Sequence, residues 1–410
     1  MALNPEHSAD KSWALYDRAL EYIPMGTQTH SKAPREALRG VEPCFIERGE
    51  GCRIWDVDGN EYIDFRNGLG PIILGYRFPA VDEAVRWQLE KGTVFSYAHP
   101  LEVEVAQRLV EMVPSAERVR FLKTGGEAMA ASHRLARAFT GRDLIVSCGY
   151  HGWINSMGRS GVPQAMRDLY CDIPWGDGDA CRALLQERGR EVAAISVACG
   201  YADIEKGGDF LPLLRQLSQE CGALLIFDEI VTGFRLAPGG AQEYFDVVPD
   251  LTVLAKGISN GVPLSCYAGR RDIMETVQEV VISSTYGGDT LGLAAARAVL
   301  DTYASEDVIG YLWARGRQLH QGLAAIAAEL AVPVGFAGLP PLGQLQFSHA
   351  DSSRNGALMM RFEGELLQRG VVVFSVCYTN FSHGQDDIDE ALAAMREGLV
   401  VMQAEGLFDA

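Results

Sequence analysis

The sequence lacks paired or clustered cysteines. Its nine cysteines lie singly along 410 residues, without a CxxC pair and without the Cys/His spacing of a metal site. We therefore expect neither a disulfide framework nor a metal centre.

Long apolar segments are missing as well. No window approaches the roughly 18 uninterrupted apolar residues that a membrane-spanning helix needs. Residues 1–20 contain no apolar core of the kind found in signal peptides. These absences predict a cytoplasmic protein that is not embedded in a membrane.

Basic residues are in the minority, with 36 Lys and Arg against 54 Asp and Glu and a formal net charge of −18. Nucleic acid and anionic membrane surfaces would repel such a chain, so neither is an expected partner. The acidic surface would attract a cationic small molecule, although a generally acidic proteome is the simpler explanation. A hydrophobic content of 48% and a length of 410 residues fit a globular protein with two packed domains.

Two apolar runs end in residues of opposite charge. Residues 223–227 are followed by Asp228, and residues 251–255 are followed by Lys256. Such runs fit strands buried on both faces of a parallel sheet, whose carboxyl ends form ligand sites. An amine and a carboxylate there suit pyridoxal phosphate, because the amine can hold its aldehyde as a Schiff base and the carboxylate can keep its ring nitrogen protonated. Taken singly, either residue could be an ordinary end-of-strand charge or half of a structural ion pair.

A glycine-rich turn follows a third predicted strand. Residues 118–123 fit a strand, and Thr124, Gly125 and Gly126 lead from it into a helix. Backbone N–H groups and the helix dipole at such a turn favour a phosphate. On its own the pattern is only a weak indicator of a phosphate site.

An aromatic residue follows a fourth predicted strand, residues 143–148. Tyr150 could stack on a pyridine ring, with His151 beside it. The alternative is a rim aromatic next to a solvated histidine. Ile230 lies two residues beyond Asp228, on the same side of an extended segment, and could press on the other ring face.

These motifs occur in the order found in a known family. The run IFDEIVTGFRLAPGGAQEYFDVVPDL and the later LAKGISNGVPL resemble the cofactor segment of class III (ω-type) aminotransferases, and most closely the glutamate-1-semialdehyde aminomutase branch. The similarity extends over nearly the whole chain, from GVEPCFIERGEGCRIWDVDGNEYIDF to the closing DDIDEAL. It implies the α/β fold of type I PLP enzymes, in which a large, mainly parallel seven-stranded sheet domain with helices on both faces accompanies a smaller α+β domain.

The resemblance and the sequence pattern together give the expected domain organisation. Residues 1–65 form an N-terminal helix, a loop and a hairpin that pack with the small domain, and the hairpin turns at Asp58-Gly59. Residues 66–300 form the large PLP-binding domain, and residues 301–410 form the small domain. Within the small domain we predict helices at 307–330, 355–369 and 386–404 and strands at 342–348 and 370–376.

The resemblance also implies roles for individual residues. Thr124, Gly125 and Gly126 match the turn that cradles the cofactor phosphate, and Tyr150 and His151 match the Tyr-His-Gly motif whose aromatic residue stacks on the ring. Ser284 and Thr285 lie in a segment that crosses the dimer interface in this family, so a homodimer with shared phosphate sites is expected.

The chain departs from the family pattern at several positions. Ala198-Cys199 stands where many class III enzymes have Glu-Pro, and Cys266 stands where relatives usually have Ala or Gly. No gate glutamate is evident in FSVCYTNFSHG, and no arginine forms a recognised clamp for an α-carboxylate. In these respects the chain resembles the branch that acts on the 6′-amine of aminoglycosides of the gentamicin C type, in antibiotic biosynthesis.

We therefore predict a PLP-dependent isomerase that inverts the amine-bearing 6′ carbon of a cationic aminosugar. Lys256 would exchange one proton and the thiol of Cys266 the other. A cysteine in a buried strand is more often a small hydrophobic residue than a proton carrier, so the role of Cys266 remains a hypothesis. The alternatives are a 6′-aminotransferase with an amino-acid donor and a non-catalytic PLP-binding protein.

Overall fold

The structure is a computed structural model that describes residues 7–154 and 160–409. The helices, in chain order, are α1 (Asp10–Ala19), α2 (Pro79–Leu89), α3 (Pro100–Met112), α4 (Gly125–Thr140), α5 (Gln164–Arg167), α6 (Gly178–Arg188), α7 (Gly207–Cys221), α8 (Ala241–Tyr244), α9 (Arg271–Glu275), α10 (Thr290–Ser305), α11 (Val308–Leu330), α12 (Asn355–Leu367) and α13 (Gln385–Ala404). No helix among the described residues is both long enough and apolar enough to span a membrane.

The strands, in chain order, are β1 (Ile46–Glu50), β2 (Arg53–Asp56), β3 (Glu61–Asp64), β4 (Arg118–Leu122), β5 (Leu144–Cys148), β6 (Tyr170–Asp172), β7 (Val192–Val197), β8 (Leu224–Asp228), β9 (Leu251–Leu254), β10 (Ser265–Gly269), β11 (Val334–Ala337), β12 (Leu342–Phe347), β13 (Val371–Val372) and β14 (Val376–Tyr378).

The chain divides into two compact units. Unit 1 contains residues 1–69, 74–78 and 310–410, and unit 2 contains residues 70–73 and 79–309. The segments predicted as 1–65 and 301–410 thus fall in one unit, although residues 1–6 lie outside the described part. The boundary predicted at residue 301 falls inside α10, and the structure places the change of unit after Ile309.

Unit 2 is built on a seven-stranded sheet in the order β4-β10-β9-β8-β7-β5-β6. Strand β10 runs antiparallel to both of its neighbours, and β9, β8, β7, β5 and β6 run parallel to one another. Every residue of β5, β7, β8 and β9 is buried, as expected for parallel strands covered on both faces. The predicted mainly parallel seven-stranded sheet is confirmed, and the carboxyl ends of β7, β8 and β9 lie side by side.

Helices cover both faces of this sheet. Met129 of α4 packs in one apolar cluster with Ile226 of β8, and Leu214 of α7 packs in another with Leu225. Alternate residues of β8 therefore point to opposite faces, and each buried aliphatic side chain contributes about 1.5–3 kcal/mol to folding. This packing fixes the strand ends from which the candidate site is built.

Unit 1 contains two smaller sheets, ordered β1-β2-β3-β13 and β11-β12-β14. The predicted hairpin is present, with β2 antiparallel to β3 around Asp58-Gly59. The single strand predicted at 370–376 is replaced by two short ones. Strand β13 pairs in parallel with β3 and β14 pairs with β12, because the chain leaves one sheet and joins the other between them.

Candidate active site

A cavity of about 500 Å³ lies at the carboxyl ends of β7, β8 and β9 in unit 2. Six of the predicted site residues line it: Gly125, Gly126, Tyr150, Asp228, Ile230 and Lys256. Five others are not among its lining residues: Thr124, His151, Cys266, Ser284 and Thr285.

The glycine turn forms the start of helix α4. Thr124 is the N-cap, its Oγ1 accepting from the Glu127 N–H at 3.4 Å while its own N–H donates to Glu127 Oε2 at 2.8 Å. A Cβ added at Gly125 would lie 2.5 Å from Ile230 Cδ1, so a larger residue there would displace the Ile230 side chain. The first turn of a 16-residue helix thus presents its backbone N–H groups beside the cavity, which fits a phosphate. The Thr124 hydroxyl itself is engaged in the helix cap.

Asp228 ends β8 as a buried carboxylate with two hydrogen bonds. Its Oδ2 lies 2.8 Å from His151 Nδ1, and its Oδ1 accepts from the Ile230 N–H at 3.1 Å. His151 Nε2 lies 3.2 Å from the Ser196 carbonyl oxygen. Because the carboxylate and the carbonyl only accept, both bonds to His151 form together only when both ring nitrogens carry protons. His151 therefore lies behind Asp228, where it orients the carboxylate.

Lys256 begins the 3-10 turn Lys256–Ser259 directly after β9. Its backbone is left-handed, with φ at +48°, which is uncommon for a residue other than glycine. Burial lowers the pKa of its amine to about 8, since the opposing effect of Asp228 only partly offsets burial and the positive charge of Arg235 adds to it. None of the described residues hydrogen-bonds this amine, so it is available to bind the cofactor aldehyde.

Tyr150 and Ile230 also line the cavity, as expected for residues on either face of a bound ring. Tyr150 follows β5 and is 62% exposed in the single chain, while Ile230 follows β8 and is half-buried against Gly125. They lie at the ends of the two strands that flank β7, and their stacking on a cofactor ring stays a prediction.

Cys266 lies inside the sheet and does not face the cavity. It occupies β10 between Phe121 of β4 and Leu254 of β9, and it is fully buried. Burial raises the pKa of its thiol to about 12. The expectation that this thiol faces Lys256 is corrected, because nearness to the lysine turn in sequence does not bring a strand-interior side chain to the strand ends.

A different cysteine lines the cavity. Cys199 follows β7, is half-buried, and shares the cavity wall with Asp228 and Lys256. Burial, with the nearby negative charge of Glu229, raises the pKa of its thiol well above the ordinary value. The signal that predicted Asp228 and Lys256, a polar residue after a buried run, also applies to Cys199.

Two aromatic residues in the wall had no predicted role. Trp175 is held by a hydrogen bond from its Nε1 to the Asp203 carbonyl oxygen at 3.1 Å and by edge contact with Phe210. Tyr201 lines the cavity two residues beyond Cys199. With Tyr150 they give the cavity three aromatic side chains.

Ser284 and Thr285 lie in the segment before α10, where Thr285 is exposed and Ser284 half-buried. Their expected place in a partner's phosphate site stays a prediction.

The family model for class III aminotransferases matches residues 37–172 and 179–378. The chain belongs to this family. Glutamate-1-semialdehyde 2,1-aminomutase of Syntrophobacter fumaroxidans is 36% identical over 95% of this chain and 98% of its own length. The enzyme of the same name from Aquifex aeolicus is 34% identical over 95% and 99%.

Solved structures that are similar to this chain have the same fold. The Sphingopyxis sp. MTA144 FumI protein, solved with PLP, superposes with a TM-score of 0.90 at 25% identity over 97% of each chain. A transaminase with PLP bound has a TM-score of 0.89 at 26% identity, over 97% of this chain and 99% of its own. The fold is that of type I PLP enzymes, and the cofactor is pyridoxal 5′-phosphate. The half-buried amine of Lys256, the carboxylate of Asp228 and the Gly125-Gly126 turn fit that cofactor.

Proposed function

We propose that this class III enzyme is an epimerase that inverts the amine-bearing 6′ carbon of an aminoglycoside of the gentamicin C type. One observation carries the proposal: the cavity wall contains both an amine, Lys256, and a thiol, Cys199, on the strands that flank Asp228. The aminomutases that it resembles are isomerases, which agrees with a reaction that needs no second substrate.

Lys256 is the base of the proposed reaction. When bound, pyridoxal phosphate would supply an electron sink for the amine-bearing carbon, and Asp228 would hold the proton on its ring nitrogen. With a pKa of about 8, a useful fraction of the lysine amine is neutral near pH 7–8, so its Nζ can take the proton from the carbon.

Cys199 is the acid. Its raised pKa keeps the thiol protonated, so its Sγ can return a proton to the carbon. Strands β7 and β9 are the two neighbours of β8, so Cys199 and Lys256, which follow them, line the same cavity as Asp228. One C–H bond breaks toward Lys256 and one forms from Cys199, and both groups then exchange protons with solvent, so no oxidant or reductant is consumed. This assignment replaces the one to Cys266.

The composition of the cavity walls supports the proposed substrate class. Among its described lining residues, Lys256 is the one basic side chain, and no arginine is present to bind an α-carboxylate. Tyr150, Trp175 and Tyr201 offer aromatic faces, which attract cations and sugar rings. The chain's net charge of −18 agrees with a cationic substrate.

The second candidate is a 6′-aminotransferase that uses an amino-acid donor, and the family's own description favours it. The two functions differ in their need for a second substrate. An aminotransferase requires an oxo acid or amino donor, whereas an epimerase acts on the aminosugar alone.

The test is incubation of the PLP-loaded protein with a single 6′ epimer in D2O, without any oxo acid. We expect inversion with deuterium gain at the 6′ carbon. Cys199→Ala should slow inversion by about 10²-fold or more, while Cys266→Ala, the matched control, should invert normally. Oxo-acid-dependent deamination would instead support the aminotransferase. A protein whose visible spectrum does not respond to amines would be a non-catalytic PLP-binding protein.

We also propose a homodimer in which Ser284 and Thr285 reach the partner's phosphate. Thr285 has exposed apolar neighbours, Val281 at 82% and Tyr286 at 58%, as expected for a surface that a second copy covers. Analytical ultracentrifugation should show a dimer. Thr285→Val should weaken PLP binding, although the covalent anchor Lys256 is still present. A monomer with full PLP affinity would contradict the proposal.

A further inference from the structure

A second histidine, His133 of α4, packs beside the histidine that holds Asp228. It is buried, and its ring meets that of His151 edge-on, with 6.2 Å between the ring centres. The same face of the sheet is otherwise covered by apolar side chains such as Met129 and Ile226. A polar group buried there is unfavourable unless hydrogen bonds replace those of water, so packing alone does not account for an imidazole.

Two hydroxyl groups satisfy this imidazole. His133 Nε2 lies 3.1 Å from Ser196 Oγ, and His133 Nδ1 lies 3.5 Å from the Tyr170 hydroxyl. A neutral imidazole has one donor and one acceptor nitrogen, and a hydroxyl can both donate and accept. Both bonds can therefore form while His133 is neutral, in either tautomer.

The two neighbouring rings have different requirements for charge. The partners of His151 are a carboxylate and a carbonyl oxygen, so its two hydrogen bonds need a proton on each ring nitrogen. Burial lowers the pKa of His133 well below its ordinary value, and the positive charges of His151 and Arg137 lower it further. His133 is therefore suited to support its neighbour as a neutral ring.

Ser196 connects the two histidines. Its hydroxyl contacts His133, and its backbone carbonyl oxygen lies 3.2 Å from His151 Nε2. Ser196 is fully buried in β7, which pairs with β5 on one side and β8 on the other. The hydrogen bond from or to His133 fixes the rotamer of the residue whose carbonyl anchors His151, and such linked bonds reinforce one another.

We propose that His133 is a positioning residue that acts through Ser196 to fix His151, and with it the carboxylate of Asp228. Asp228 is the group that would hold the proton on the ring nitrogen of bound pyridoxal phosphate. A hydrogen bond weakens steeply when its angle or distance is poor, so a loosened carboxylate would hold that proton less firmly. The proposal concerns the cofactor site alone and applies equally to an epimerase and to an aminotransferase.

NMR of the PLP-loaded protein provides two readouts. The first is the rate at which the ring N–H protons of His151 exchange with solvent, and the second is the 15N shift of a labelled cofactor ring nitrogen. His133→Leu fills a similar volume without polar atoms, and it should speed the exchange at least about tenfold because His151 is less firmly held. The 15N shift should move toward that of a neutral ring.

Two further variants separate positioning from packing. His133→Gln should restore both readouts, because its amide nitrogen can take the place of Nε2 beside Ser196. Ser196→Ala keeps the carbonyl that accepts from His151 but removes the hydroxyl, so it should reproduce the effect of His133→Leu. The double variant should show no more than the larger single effect, since both changes break one connection.

The matched control is His320→Leu. His320 is half-buried in unit 1, where it stacks on Phe336, and its replacement should leave both readouts unchanged. Should His133→Leu fail to fold, Ser196→Ala makes the same test with the loss of a single oxygen atom.

Several results would overturn the proposal. Unchanged exchange and an unchanged 15N shift in both His133→Leu and Ser196→Ala would show that neither residue fixes His151. Additive effects in the double variant would mean that His133 does not act through Ser196, and failure of His133→Gln to restore the readouts would reduce His133 to a packing role. Faster exchange with an unchanged 15N shift would break the link to Asp228.

Discussion

The two cavities differ in the charged groups that surround a cationic side chain in each. In unit 2, Lys256 shares its cavity with the carboxylate of Asp228, which is in turn held by His151. In unit 1, Arg66 lines a cavity of similar size, and the carboxylates of the described residues act on it only from beyond ion-pair distance. Both arrangements disfavour the charged form of the cation, since burial lowers both pKa values.

The two side chains differ in whether they can lose their proton when burial disfavours the charged form. A lysine amine can lose its proton near neutral pH, so burial converts it into a base and a nucleophile. A guanidinium cannot lose its proton in this pH range, so burial does not turn Arg66 into a base. The cavity of Lys256 therefore offers a group suited to covalent chemistry, and that of Arg66 does not.

The largest expected effect comes from Lys256→Ala. Removal of the amine takes away both the covalent anchor and the base, and turnover should fall by at least about 10³-fold. The visible absorbance of the lysine-bound cofactor should also disappear. Lys91→Ala, in which the lost amine lies over Trp87, is the control and should behave as the unaltered protein. Turnover that survives in Lys256→Ala would refute the covalent site.

Asp228→Asn would leave the amine of Lys256 without a neighbouring carboxylate. Its surroundings would then resemble those of Arg66 in the unit 1 cavity. We expect a loss of about 10²-fold in kcat/KM, since the neutral amide cannot stabilise a charged ring nitrogen. In the cofactor-free protein the pKa of Lys256 should fall further below about 8, as the charge that raises it is gone. NMR titration of methylated lysines measures this pKa, with the exposed Asp209→Asn as control. An unshifted pKa would contradict the pairing of Asp228 with Lys256.

The unit 2 site was largely predictable from the sequence. A buried apolar run followed by a charged residue marked Asp228 and Lys256, and the structure places both in one cavity wall. The rule works because parallel strands end at a common edge. The glycine turn at Gly125 was predictable for the same reason, since it too follows a strand.

Other features of the structure depend on contacts between residues far apart in sequence, which the local sequence does not reveal. Cys266 lies near the lysine turn in the chain, but its position inside β10 buries it between two strands. The division of residues 370–376 into β13 and β14 results from pairing with β3 and β12, which lie far away in sequence. Arg66 gave no signal at all, because the charges around a side chain are recognised only once its neighbours are known.

Unit 1 should respond to acid through a buried neutral base, His383. Burial lowers its pKa to about 4, and its Nδ1 accepts from the Asn380 N–H at 2.9 Å. The unfolded chain, with a histidine pKa near 6.5, binds this proton more readily, so stability falls as pH drops from about 6.5 to about 4. The expected loss is about 3 kcal/mol in the free energy of unfolding.

Denaturant unfolding at a series of pH values measures this effect. His383→Gln should be less stable at pH 7 but should lose less stability on acidification, because one proton-binding group has been removed. An unchanged slope between about pH 6.5 and pH 4 would show that His383 does not carry the effect. Exposed His30, replaced by Gln, is the control and should leave the slope unchanged.

The smallest expected effect is the pH dependence of kcat. It distinguishes Lys256, which titrates in this range, from Arg66, which does not. Because the pKa of Lys256 is lowered to about 8, the neutral amine increases about tenfold between pH 7 and pH 9. The kcat for the aminosugar should rise with it, because the lysine amine is released from the cofactor in the enzyme–substrate complex, whose titrating groups kcat reports. A kcat that is flat over this range would mean that Lys256 is not the titrating base.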